Sequence, residues 1–128
     1  MDGKKETLLE RVRRERGYLH PSREVIYERD PSYLELYHQL FTHVIKTRKA
    51  LSVKVKEMII VGINAAINYE EGLWVHIRAA LEAGATEEEI FEVIETASLA
   101  AGIHTMTYSL PIFRKVCEEF REEDHDAC

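Results

Sequence analysis

The segment 58-MIIVGINAAINYEEGLWVHIRAALEAGATEEEI-90 decides the fold of this chain. Residues 58–68 carry only two polar side chains, Asn64 and Asn68, and are apolar on nearly every face. A helix with that pattern belongs in the middle of a bundle or of an assembly, because it offers water no polar side. After a break near Tyr69 a second helical period begins, with Leu73, His76, Ile77, Ala80 and Leu81 on one face. It runs to Ala83 and stops at Gly84, a good C-cap. Thr86-x-x-Glu89 is then a capping box that opens a third helix, with Ile90, Val93, Ile94 and Ala97 facing inward. Connections this short make the three helices close neighbours.

Outward from this segment every other stretch also reads helical, and none alternates for long enough to be a strand. Ser52 caps the apolar helix from upstream. Asp30-Pro31 is a helix start, Asp as N-cap and Pro at the first helical position, for a stripe of Tyr33, Leu34, Tyr37, Leu40, Phe41 and Val44 that ends before Leu51. A charged amphipathic helix covers Thr7 to Arg16 and ends near Gly17, followed by a loop through His20 and Pro21. Downstream, 96-TASLAAGIHTMTYSLPIF-113 has no formal charge if His104 is neutral. Its hydroxyl-bearing residues between Thr105 and Ser109, with Pro111, argue for burial in the core or against another subunit rather than a membrane span. The end, 118-EEFREEDHDAC-128, reads as a solvated acidic tail. The expectation is an all-α single domain over 1–128, about six helices built on a central helical hairpin.

Composition narrows the function classes. The 128 residues are 45% apolar, enough for a real core, and 17 basic against 23 acidic residues give a net charge of −6. That balance argues against nucleic acid or an anionic membrane as partner and leaves a small molecule or a protein. The start of the chain lacks the apolar core of a secretory signal, and the longest strongly apolar run, Met58 to Asn68, is too short to span a bilayer, so a cytoplasmic protein is expected. Cys117 and Cys128 form no C-x-x-C and have no histidine at metal-ligand spacing, and no nucleotide motif is present, so neither a metal nor an organic cofactor is expected.

One residue of the opening segment does not fit a purely structural face. His76 points where the core should be, and upstream Glu57 is the last charge before the apolar run, with Val61, Asn64 and Asn68 following on its own face. Buried polar groups need partners. A carboxylate beside a neutral imidazole is equipment for moving protons near pH 7, which makes Glu57 and His76 a candidate acid/base pair. A simple antiparallel hairpin turning near Tyr69 would set Glu57 opposite Glu82, so contact with His76 calls for steep crossing, a bridging water or a neighbouring subunit. Trp74 and Arg78, four apart, are placed to stack on an outer or subunit-facing side.

The opening 51-LSVKVKEMIIVG-62 and the run 76-HIRAALEAGATEEEIFEVIETASLAAG-102 resemble the carboxymuconolactone decarboxylase family, which includes the alkyl hydroperoxidase D-like proteins. The resemblance implies an alkyl hydroperoxidase D-like bundle with a family core over 45–113, assembled as a trimer or hexamer with active sites near subunit contacts. It puts Glu57 on the family's proton-relay glutamate and His76 on its histidine, and Tyr69 at an active-site position. The peroxidase branch carries C-x-x-C before the histidine; here those positions are Tyr69 and Gly72, so dithiol peroxidase chemistry is not expected. The decarboxylase branch carries Glu-Leu-x-x-His, whereas this chain has Glu71 five residues ahead of His76. Glu71 and Tyr69 are candidate substrate contacts, and so is His104, as an imidazole buried after Gly102. The implied reaction is acid/base decarboxylation or isomerisation of a small lactone or organic acid, a cofactor-free lyase; the alternative is a non-catalytic oligomeric scaffold or small-molecule-binding protein of the same fold.

Overall fold

The computed structural model describes residues 5–127, with side chains through Glu123, and among them every regular element is helical. The helices are α1 (Leu8–Arg16), α2 (Pro21–Arg29), α3 (Pro31–Thr42), α4 (Val53–Ala66), α5 (Glu70–Glu82), α6 (Glu87–Ala101) and α7 (His104–Ala127), with a π-helical turn, His43–Thr47, continuing α3. This is one helix more than the sequence suggests. The loop expected after Gly17 leads directly into α2, because the His20 ring accepts from the Ser22 amide at the N-cap and Pro21 takes the first helical position. Histidine is not one of the usual capping residues, so that start is hard to read from sequence. The backbone groups into two compact units, residues 1–49 and 50–128.

In the first unit α1 closes as its sequence predicts. Thr7 and Glu10 form a reciprocal capping box, and Gly17 takes the left-handed C-cap at φ 74°. The expected inward stripe of α3 is only half right. Leu34 is buried, with His38 and then Ile45, while Tyr33, Tyr37, Leu40 and Val44 are exposed. The helix carries apolar residues on two adjoining faces, and polar links choose which one turns inward. Glu15 of α1 lies 2.5 Å from His38 Nε2, and Arg11 donates to Glu35 at 2.5 Å.

In the second unit α4 and α5 form the central hairpin. Ser52 caps α4, Asn68 makes the reversal at φ 57°, and Gly84 at φ 101° follows α5. Val61, Leu73, Ile77, Ala80, Ile90 and Ile94 are fully buried and form the centre of the core, which α7 closes with Val116 and Cys117. The uncharged run 96–113 is divided between α6 and α7 at Gly102, and no helix among the described residues is long and apolar enough to cross a membrane. Pro111 sits inside α7 without ending it. The expected acidic tail is instead the continuation of that helix: Phe120 packs on the core and Glu123 receives the Arg78 guanidinium. Arg78 therefore reaches α7, with its guanidinium carbon 5.8 Å from the Phe120 ring centre, rather than stacking on Trp74. Cys128 lies outside the described residues.

Candidate functional site

Helix α4 turns Glu57, Val61, Asn64 and Ala65 to its buried side, and α5 answers with Leu73, Ile77, Ala80 and Leu81. His76 sits at the margin of that α5 face. Its Nδ1 lies 2.7 Å from Glu57 Oε1, a direct contact within one chain. With the carboxylate accepting, Nδ1 carries the hydrogen. The opposition of Glu57 to Glu82 expected from a simple hairpin does not occur. Reversal at Asn68 pairs Glu57 with a level near residue 79, and the remaining three residues amount to about 4.5 Å of axial offset, which two side chains can span.

The pair is neither sealed nor free in water: the His76 side chain keeps 14% of its surface exposed and Glu57 7%. His76 Nε2 has no partner among the described residues and is not one of the fully buried unpartnered atoms, so it is the ring nitrogen open to a ligand. A carboxylate on one nitrogen with the other available fixes the tautomer and steadies the imidazolium when the ring takes up a proton.

One turn nearer the reversal, Gly72 brings the two helices together. A Cβ there would stand 2.3 Å from Asn64 Nδ2 and 2.7 Å from the Tyr69 ring, so the Asn64 amide occupies the space a side chain would need. This is the position at which a dithiol enzyme of the resembled kind would carry its second cysteine. Asn64 is 7% exposed and its amide lies against Gly72 beside the pair, which marks it as a further candidate contact. In the sequence Asn64 stands out only as a polar group on an apolar face that needs a partner. Lys56 is also buried on α4.

The other candidates separate. Tyr69 is half-exposed at the N-cap of α5, its ring against Gly72, on the same seam as the pair. Glu71 already belongs to α5, five residues from His76, which places it about 140° around the helix. Among the described residues the His76 ring is paired with Glu57. His104 is exposed at the start of α7, beside Gly102, and not the buried imidazole expected. Cys117 is buried, and desolvation first, with Glu87 nearby, pushes its thiol up to about 11, which leaves it protonated and unreactive near neutrality.

Residues 31–115 match the model of the carboxymuconolactone decarboxylase family, a range that contains 45–113. No protein of curated function matches the sequence. Among solved structures, a candidate carboxymuconolactone decarboxylase from Burkholderia xenovorans LB400 is similar, with a TM-score of 0.82 at 22% identity and with 94% of this chain and 92% of that one covered. At that identity the likeness is one of fold.

Proposed function

The chain belongs to the carboxymuconolactone decarboxylase family, and from that premise we propose that it carries out cofactor-free acid/base chemistry on a small lactone, unsaturated organic acid or related carbonyl compound. The observation that carries this reading is the 2.7 Å contact between His76 Nδ1 and Glu57 Oε1 on an otherwise apolar seam. Keeping a charge-bearing pair there costs stability, and such pairs concentrate at functional sites.

In this reading His76 Nε2 takes a proton from the carbon next to the substrate carbonyl. The electron pair delocalises onto the carbonyl oxygen, and Glu57 stabilises the imidazolium through Nδ1–H. Isomerisation follows when Nε2 returns the proton to a different carbon. For decarboxylation the proton comes from solvent instead: Nε2 takes it up, the carbon–carboxylate bond breaks, carbon dioxide leaves as the electron pair delocalises onto the carbonyl, and the carbon then accepts that proton from His76. The Asn64 amide and the Tyr69 phenol supply hydrogen bonds to the substrate's oxygens. The test is turnover of a panel of lactones and unsaturated dicarboxylic acids by wild type and His76→Ala. Loss of about 10²–10⁴-fold is expected for a positioned proton carrier; equal turnover by both proteins would remove the proposed role.

The binding-protein reading draws on Glu71, which is turned off the His76 face, and on Tyr69 and Gly72 standing where a dithiol would be. Saturable binding of the same compounds without conversion by wild type would select it.

A further inference from the structure

The chain holds a second carboxylate–imidazole contact that the acid/base reading does not use. In the first unit Glu15 Oε1 of α1 lies 2.5 Å from Nε2 of His38 on α3, a histidine only 4% exposed. With the carboxylate accepting, Nε2 carries the hydrogen and Nδ1 is left as an acceptor. That Nδ1 is fully buried and has no hydrogen-bond partner among the described residues. Fixing the inner face of α3 explains the bond to Glu15 but not the other nitrogen. A buried acceptor in that state costs stability and calls for a donor.

The His38 ring forms part of the wall of a cavity of about 300 Å³. Arg11 and Glu15 line it from α1, Glu35, Gln39 and Thr42 from α3, and the π-helical turn brings His43 and Thr47 to it. Every one of these side chains bears a hydrogen-bonding group. A π-helical turn is rare in proteins and recurs at functional sites.

Charge and hydrogen bonding narrow the ligand. Arg11 donates to Glu35 at 2.5 Å, Arg14 holds Glu6 at 2.7 Å and lies 3.6 Å from Glu15 Oε2, and Lys46 donates to the Glu15 carbonyl. Each carboxylate of the cluster thus has a cation beside it, so a ligand with net charge meets no unmatched opposite. The described residues contain no grouping of His, Cys, Asp and Glu fit to hold a metal ion. The walls keep capacity of both kinds, since a carboxylate accepts and a guanidinium donates several bonds, and the Thr42 and Thr47 hydroxyls do either. A neutral ligand that donates to Nδ1 and the carboxylates while accepting from Arg11 needs groups that do both, which hydroxyls are, and bonds to the charged walls are the stronger kind.

We propose that this cavity binds a small neutral polyol, up to a monosaccharide in size. Its volume lies at the lower end of ligand pockets, which suits one such molecule. The site uses neither Glu57 nor His76, so its failure would leave the acid/base reading as it stands.

Imidazole proton–carbon NMR of the full chain, titrated separately with erythritol, ribose and glucose, tests it. Wild type is expected to give saturable shifts of the His38 and His43 ring signals with at least one of the three. Glu15→Gln and Thr42→Val are each expected to bind that polyol about 5-fold or more weakly, as for loss of one hydrogen bond. No shift with any polyol, shifts that grow without saturating, affinities unchanged in both variants, or saturable binding of methylammonium or acetate in place of the polyols would overturn the proposal. Helicity by circular dichroism verifies folding; if either variant loses it, Thr47→Val or Gln39→Ala takes its place with the same outcomes.

Discussion

The Glu57–His76 contact was legible residue by residue because each side chain interrupts an apolar helical face, and a polar group there must find a partner. What joins the helices closely was not legible. Gly72 has ordinary helical neighbours in sequence, and only the packed hairpin reveals that its missing side chain is the room Asn64 occupies. Gly72→Ala should therefore destabilise the chain by about 1–3 kcal/mol despite alanine's better helix propensity, since the added carbon meets Asn64 at well under contact distance. Asn64→Ala in the same chain should recover much of that loss, as a coupling between touching residues. Urea titration of the four proteins measures it, and a more stable Gly72→Ala would contradict the close approach. Cys117 gives a prediction in pH. Its thiol is raised from 9.0 to about 11, so it stays protonated through the range where an exposed cysteine reacts. In a Cys128→Ser variant, iodoacetamide at pH 8.5 should label folded protein far more slowly than protein in denaturant. The folded state holds that proton more tightly than the unfolded one, so this contribution to stability is complete below pH 9 and is lost as pH rises toward about 11.

At the scale of elements, the starts and stops were the best-read features, because capping is local chemistry. Ser52, Asp30 and the Thr86/Glu89 box all lie where their sequences place them. The inner face of α3 was harder, since two adjoining faces are apolar and the choice between them rests on His38 meeting Glu15 and Arg11 meeting Glu35, contacts made 23 and 24 residues apart. The π-helical turn after Thr42 likewise has no sequence cue of its own. The cap of α6 offers a direct check. Thr86 accepts from the Glu89 amide, and Glu89 accepts from the Thr86 amide and from Lys54. Thr86→Ala should cost about 1 kcal/mol in chemical denaturation. The Thr86 amide first, then Lys54, holds the Glu89 carboxyl below the usual carboxylate range. Its contribution is therefore present at neutral pH and is lost as pH falls through that lowered value. Thr86→Ala matching wild type in a urea titration at pH 7 would show that the box carries no stability.

At the scale of the whole molecule, the all-helical fold followed from periodicity, whereas the grouping into residues 1–49 and 50–128 depends on which faces are covered, and single-sequence patterns do not report coverage. The core makes the two units unequal. Its buried residues run from Val61 to Cys117, so the second unit holds the main core as well as the Glu57–His76 contact. Buried apolar side chains in the first unit are Val12, Leu34 and Ile45. A core that small does not offset the chain entropy of about 50 residues, while the second unit has four helices packed around a continuous centre. A fragment spanning 50–128 should therefore unfold cooperatively in urea with helical circular dichroism, whereas 1–49 alone should show little helix and no transition. Non-cooperative unfolding of 50–128 would mean that its core needs residues 1–49 to form.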